Sequence, residues 1–358
     1  MTSKNSFPNA TQNLIDLRSD TVTRPTESMF EAMHAAPLGD DVLGDDPTVM
    51  RLEELAAEIT GMEEALFVPS GTMGNQIALA SHCNPGDAIL IEQEAHILYY
   101  EVGGPAMIAG VVSWTLPSDA GVMDPDVIES RVLRQNLHTP GTTLLCLENT
   151  HNRAGGTVIP LDKMARYREI ATRHGMNIHL DGARVFNAAV ALGVPVKEIA
   201  QHVDSVNFCL SKGLRSPVGS LLCGHAGFIR EARHWRKRLG GGMRQAGILA
   251  ACGLVSLTKM VDRLADDHAR AKRLAQEVTK LPGVHVDLDT VQTNMVIAEF
   301  EQPAMLWQEE LRERSVLALP TAANRMRFVL HADIDDAMLD RAIEAIRGIA
   351  DSYAGQPN

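Results

Sequence analysis

Five clusters of polar and glycine residues each follow a short apolar run in this 358-residue chain. Ser70-Gly71-Thr72-Met73-Gly74-Asn75 follows residues 65–68, and Glu92 to His96 follows 88–91. Glu148-Asn149-Thr150-His151-Asn152-Arg153 follows 143–147, Asp181-Gly182-Ala183-Arg184 follows 177–180, and Ser211-Lys212-Gly213 follows 205–210. Ligands of a parallel sheet bind outside the carboxyl ends of its strands, so the recurrence says more than any one cluster. The first cluster is a glycine-bearing turn opening a helix, where free amides and the helix dipole suit a phosphate. An ordinary strand–helix turn has the same look. The spacing G-x-x-x-x-G-K-[ST] is missing, and no G-x-G-x-x-G follows the first strand. Asp181 ends a run that reads as buried, where a carboxylate needs a cation. Arg184 is one candidate partner, and a protonated pyridine nitrogen is the other. Lys212 also sits at a strand end. A buried amine is driven toward its neutral, nucleophilic form, whereas most lysines are simply solvated.

The elements that position these clusters alternate. Helical periodicity at 28–34 and 48–60 precedes the strand runs, and at 73–82, 161–173 and 195–202 it lies between them, with a further strand at 219–223. Asp45 or Asp46, with Pro47 behind it, is a start signal for the second helix. Strands alternating with helices predict an α/β fold, with helices on both faces of a mostly parallel sheet. After Gly240-Gly241-Gly242 the pattern changes. One long helical stretch at 245–281 stops at Pro282-Gly283. Strands at 284–288 and 294–300, a helix at 304–314, a strand at 325–330 and a helix at 335–350 follow. The division is therefore a tail and arm at 1–26, a large domain at 27–245, and a smaller α+β domain at 246–358 that includes the connecting helix.

Composition narrows the function. Lys and Arg number 33 against 45 Asp and Glu, a net charge of −12. That balance argues against a nucleic-acid binder. The basic group Arg233, Arg236, Lys237 and Arg238 accordingly reads as a solvated face. No apolar run approaches the ~18 residues of a membrane span, and residues 1–13 are polar with no signal-peptide core. The five cysteines are odd in number and none pairs in a C-x-x-C spacing, so reduced thiols in the cytoplasm are expected. No ligand cluster for a metal is evident.

In that order, phosphate turn, Asp and then Lys about thirty residues on, the chain resembles the fold-type I pyridoxal phosphate (PLP) enzymes of the aspartate aminotransferase-like superfamily. The likeness is closer still. Asp16-Leu-Arg-Ser-Asp-Thr-Val-Thr23, Gly39-Asp-Asp-Val-Leu-Gly-Asp-Asp-Pro47, Glu148-Asn-Thr-His-Asn152, Asp181-Gly-Ala-Arg184, Leu210-Ser-Lys-Gly-Leu214 and Gly240-Gly-Gly-Met-Arg-Gln245 resemble the low-specificity L-threonine aldolases. The resemblance spans about residues 14–350. It implies a PLP-dependent aldehyde-lyase, cleaving L-threonine or L-allo-threonine, and relatives such as phenylserine, to glycine and an aldehyde. By the same resemblance Lys212 would form the Schiff base and Asp181 would pair with the pyridinium nitrogen. His96 would stack on the ring and, with His138, is a candidate for the β-hydroxyl proton. Gly71 and Thr72 would hold the phosphate, joined from a neighbouring subunit by Arg244 and Lys237. Arg184 would lie at the cofactor and, with Arg327 and Ser19, bind the substrate carboxylate. A homo-oligomer with shared sites, a dimer or the family's tetramer, is implied. Two positions depart from the family: Arg215 where a small residue is usual, and Leu330 where threonine is common.

Other readings remain at this level. β-Elimination or transamination would use the same residues, because the choice depends on which Cα bond stands perpendicular to the ring. A non-catalytic PLP-binding module usually carries an added DNA-binding domain, for which the short N-terminal tail leaves no room. A nucleotide-phosphate enzyme lacks its fingerprints.

Overall fold

The computed structural model describes residues 14–355, so the polar tail at 1–13 lies outside the described residues. Seven strands form the large sheet: β1 (Glu64–Val68), β2 (Ala88–Glu92), β3 (Val112–Leu116), β4 (Thr142–Glu148), β5 (Asn177–Asp181), β6 (Ser205–Cys209) and β7 (Ser220–Gly224). Their order is β1-β7-β6-β5-β4-β2-β3. Strand β7 runs antiparallel to both neighbours and the other pairs are parallel. The α/β expectation with a mostly parallel sheet is met. The inner strands are buried almost throughout, as strands covered on both faces must be. Strand β3 was not legible in the sequence. It is an edge strand whose Ser113 and half-exposed Trp114 break the apolar run.

A second sheet of β8 (Val284–His285), β9 (Met295–Phe300), β10 (Leu319–Ala322) and β11 (Arg325–Val329) is antiparallel throughout, in the order β8-β9-β11-β10. Helices Ala304–Glu313 and Asp336–Ala354 pack with it around the fully buried Trp307. The expected single helix over 245–281 is two, Gly247–Lys259 and Leu264–Val278. Ala250 and Leu257 of the first lie in the core of the large sheet, and Ala271 and Leu274 of the second in that of the small sheet. Helix-forming composition runs unbroken across the join. The demand of two separate cores, not local propensity, breaks it.

Residues 15–17 of the arm pack with the small-sheet unit. Ile15–Asp16 pairs in parallel with Val316–Leu317, and Val329 donates its amide to the Leu17 carbonyl (2.9 Å). Ile15 and Leu17 are buried in the small core. None of the described helices is long and apolar enough to cross a membrane.

Three helices frame the first half: α1 (Glu27–Ala35), α2 (Pro47–Thr60) and α3 (Gly71–His82). Asp46 caps α2, accepting from the amides of Thr48 and Val49. Helix α3 lies hard against β6. A Cβ on Gly74 would stand 2.2 Å from Asn207 Oδ1, and one on Gly71 2.7 Å from Cys209 Sγ. Glycine is required there by the closeness of helix to strand. Gly74→Ala is expected to lower stability by about 1–3 kcal/mol through overpacking, seen as a reduced urea midpoint. An unchanged midpoint would mean that α3 does not approach β6 this closely.

Candidate active site

The carboxyl ends of β4, β5 and β6 bring Glu148, Asp181 and Asn207 side by side, because Glu148 pairs in register with Asp181 and Asp181 with Asn207. Asp181 is buried, and no Lys or Arg of the described residues comes within ion-pair distance of it. Its Oδ1 accepts from the Ala183 amide (3.1 Å) and its Oδ2 from Asn75 Nδ2 (2.9 Å). His96 Nδ1 stands 4.0 Å away. Arg184 is not its partner. That guanidinium turns to Asp20, donating from Nε (2.7 Å) and Nη2 (2.6 Å) in a buried fork. Burial pushes the Asp20 carboxyl up, but the charge and hydrogen bonds of Arg184 outweigh it and hold Asp20 well below the usual carboxylate range.

His96 opens the short helix His96–Tyr99, so it projects over the ends of the central strands. Its amide donates to Glu148 Oε2 (2.6 Å) and its Nδ1 pairs with Glu101 Oε1 (2.9 Å). Burial pushes the imidazole down. The Glu101 hydrogen bond and the charges of Asp181, Glu101 and Glu148 more than offset it, so His96 titrates above its usual range. Gly71 and Thr72 form the first turn of α3, capped by Ser70, whose hydroxyl accepts from the Met73 amide (3.2 Å). The first-turn amides of a helix have no intrahelical partner, so this end is suited to an anion.

Lys212 follows β6. Its carbonyl is held by Thr23 Oγ1 (2.8 Å) and the Arg215 amide (2.9 Å), and its amine pairs with no acid among the described residues. Arg215 sits at φ 70, a conformation that costs an L-residue about 1–2 kcal/mol. Its side chain spans to the Arg24 carbonyl (2.8 Å) and Asp333 (2.6 Å). The departure from a small residue therefore latches the lysine loop to both the arm and the small domain. Leu330, the other departure, is buried, with its amide on the Asn294 carbonyl (2.8 Å).

Arg325 and Arg327 share one face of β11. Arg325 turns to the Arg153 carbonyl (3.1 Å), and Arg327 to Asn152 Oδ1 (2.8 Å) and the Arg18 carbonyl (3.3 Å). Arg327 meets no carboxylate, and its buried Nε has no partner. Among the described residues it is the mostly buried guanidinium beside the cluster still free to take an anion. Ser19 lies beside Asp20, where its hydroxyl caps the turn Asp20–Val22.

Three residues singled out in the sequence share no hydrogen bond or ion pair with the cluster among the described residues. His138 precedes β4, hence the amino-terminal edge of the sheet. The strand's length, about 23 Å at 3.3 Å per residue, separates it from the cluster. Arg244 is exposed and pairs with Asp40 (2.9 Å). Lys237 lines a surface cavity of about 750 Å³ with Asp41, Glu53 and Arg233. The basic group is not wholly solvated either. Arg236 is buried, paired with Asp41 at 3.0 Å and donating to the Phe67 carbonyl at 2.7 Å.

Asn75, Glu101, Asn152, Asn207 and Asp20 were given no role by sequence reasoning. Asn75, Asn152 and Asp20 lay inside the quoted segments, but neutral amides and a paired acid carry no signal without their partners. His96, Glu101 and Asp181 bring three potential ligand atoms within 4.8 Å, a grouping the sequence spacing hid. All three atoms are already engaged with one another or with Asn75.

The model of the family described as beta-eliminating lyase matches residues 16–301. The probable low-specificity L-threonine aldolase 2 of Arabidopsis thaliana is 45% identical, over 94% of this chain and 97% of its own. The low specificity L-threonine aldolase of Escherichia coli K12 is 43% identical, over 91% and 96%. Among solved structures, a putative L-allo-threonine aldolase from Listeria monocytogenes superposes with a TM-score of 0.80 at 23% identity, covering 94% of this chain and 97% of that one. A Leishmania major threonine aldolase gives 0.81 at 19% identity, over 94% and 99%. At those identities the structures attest the fold.

Removing Asp20 strands the Arg184 charge, so Asp20→Ala is expected to cost about 3–5 kcal/mol of stability. The folded-state carboxyl lies below its unfolded value near 4, so the contribution is whole above about pH 4 and drains away as pH falls through the depressed value. Urea midpoints of wild type and Asp20→Ala should thus differ by a constant amount from pH 5 to 8 and converge in acid. A gap that widened below pH 4 would contradict the pairing.

Proposed function

The chain belongs to the beta-eliminating lyase family and, within it, to the low-specificity L-threonine aldolases, and from that premise we propose that it cleaves L-threonine, L-allo-threonine and related β-hydroxy-α-amino acids such as phenylserine to glycine and an aldehyde. The observation that carries this reading is Asp181, a buried carboxylate at a strand end that meets neutral donors and no arginine or lysine. A protonated pyridine nitrogen is the cation such a group requires. PLP fits the remaining residues as well: an amine without an acid partner at Lys212, an imidazole beside the acid at His96, and the α3 turn for a phosphate.

When bound, PLP supplies an electron sink for the pair released from Cα. The protein's part is placement. Lys212 Nζ would hold the cofactor's aldehyde carbon, and Asp181 would keep the ring nitrogen protonated. Gly71 and Thr72 would receive the phosphate. Arg327, with an unspent buried donor, would take the substrate carboxylate. Arg184, bound to Asp20 through Nε and Nη2, would contribute its remaining nitrogen, Nη1, which stands 3.4 Å from Asn152 Oδ1. Ser19 would stand behind it. His96 would lie against the ring and take the β-hydroxyl proton as the Cα–Cβ bond breaks.

Arg244, Lys237 and His138 lie outside this cluster in one chain, which supports a role for them in a neighbour's site within a homodimer or homotetramer. The exposed Leu137, Val102 and Met107 are apolar surface that such contacts would cover. A reducing, cytoplasmic setting accords with five cysteines that are all unpaired and buried.

The PLP-loaded protein should release acetaldehyde from L-threonine, and Lys212→Ala should not. Oxo acid or ammonia in place of acetaldehyde would move the reaction to transamination or elimination. Asp181→Ala is expected to lower turnover far more than amino-acid binding, and equal activity would remove Asp181 from the chemistry. Arg327→Ala should raise KM for threonine about tenfold or more, with a smaller change in kcat. A lowered kcat with KM intact would show that Arg327 is not the carboxylate receptor.

A further inference from the structure

We propose that Asn75 and Glu101 are positioning residues that lock the Asp181 carboxylate, the His96 ring and the α3 phosphate turn into one pre-set frame. The inference rests on the PLP reading above and deepens it. Asn75 is buried on the second turn of α3, and its amide is fully used. Nδ2 donates to Asp181 Oδ2 (2.9 Å) and Glu101 Oε1 (2.8 Å). Oδ1 faces Asn207 Nδ2 (2.9 Å) and His179 Nε2 (3.1 Å). Two carboxylates on one side admit only the NH2 end there, so the amide has one orientation.

That orientation propagates in two directions. Asn207 Nδ2 also donates to the Gly71 carbonyl (2.8 Å), which ties the first turn of α3 to the hub. On the other side His179 Nε2 must carry a proton, because it faces a carbonyl oxygen. Burial pushes His179 down to about 4, so its Nδ1 is the acceptor for Ser205 Oγ–H (2.9 Å). Ser205 Oγ in turn accepts from His82 Nε2 (2.7 Å), another imidazole that burial pushes down, to about 3. Each donor along this line has one acceptor and one direction. A chain of that kind lets the hub neither rotate nor reverse.

Glu101 anchors the remaining point. Its side chain is completely buried after the short His96 helix, and it accepts from Asn75, from Gln76 Nε2 (2.5 Å) and from His96 Nδ1 (2.9 Å). With Nδ1–H spent on Glu101, the other ring nitrogen is the one left for a ligand. The acids that face the imidazole are Glu101, Asp181 from β5 and Glu148 from β4, while the Tyr100 ring packs at 5.4 Å. Of the three, Glu101 alone is hydrogen-bonded to the ring. The frame therefore sets which nitrogen of His96 is presented and how far the ring stands from Asp181.

The test uses the full-length protein with PLP, Glu101→Gln and Asn75→Leu, and two readouts besides turnover. The first is the His96 ring titration by NMR, assigned with His96→Asn. Glu101→Gln keeps the shape but removes the charge, and should lower the His96 midpoint by about one pH unit. An unchanged midpoint in a folded variant overturns the role of Glu101. The second is the PLP dissociation constant. Asn75→Leu loses both charge-assisted donors and should weaken binding about tenfold or more. Equal affinity overturns the role of Asn75. Asn75→Ser keeps one donor and should fall between, which decides the matter if the leucine variant does not fold. If the wild type took up no PLP, the functional reading would fail, whereas the His96 titration would still report on Glu101.

Discussion

The geometry of the site depends first on one buried ion pair, Asp20 with Arg184. Asp20 belongs to the arm that starts by pairing with Val316–Leu317 beside the small sheet, and Arg184 to the turn after β5 that carries Asp181. The bidentate fork therefore pins two units with separate cores across the site between them. Asn294 of the small-sheet unit reaches the same carboxylate at 3.4 Å, and Thr23, three residues past Asp20, holds the Lys212 carbonyl. A buried charge pair is a poor investment for stability alone, since apolar residues of equal volume often do as well. Its directionality is what an apolar contact could not supply.

Around that pair the sheet solves a problem of like charges. Glu148 and Asp181 stand in register on adjacent strands, with Glu101 close by and no arginine or lysine on Asp181. Neutral amides and imidazoles take up the acceptors: Asn75 and Ala183 for Asp181, the amides of His96 and Asn152 for Glu148, and Asn75, Gln76 and His96 for Glu101. Such a network is costly when half-made and rigid when complete. Here it is nearly complete, and on the proposed function it leaves open the positions that cofactor and substrate charges would take.

The legible part of the site was the part whose residue type is itself the signal. A carboxylate and a lysine at the ends of apolar runs, and a glycine turn before a helix, could be read because burial makes each of them expensive or useful. The commitment of Arg184 to Asp20 could not be, because three residues of spacing from Asp181 look the same whether the guanidinium turns forward or back. The place of His138 was legible by the same rule, because it precedes the run 143–147 and so lies at the amino-terminal edge of a parallel sheet; the family likeness, not the strand order, put it at the site. The single helix expected over 245–281 failed for a related reason: propensity is a local quantity, and the break serves two distant cores.

What the sequence by itself determined was the alternation of strand and helix, the chemistry gathered at one sheet edge, and the family to which those motifs belong. Hydrophobic period and residue type are local and survive without coordinates. Only the tertiary structure decided which acid holds which cation, that Asn75 stands between Asp181 and Glu101, and that the arm at residues 15–17 packs into the core of the small-sheet unit. Those facts rest on pairs up to three hundred residues apart. Hydrogen-bond direction and ion pairing fall off within a few ångströms, so they exist only once the chain has folded.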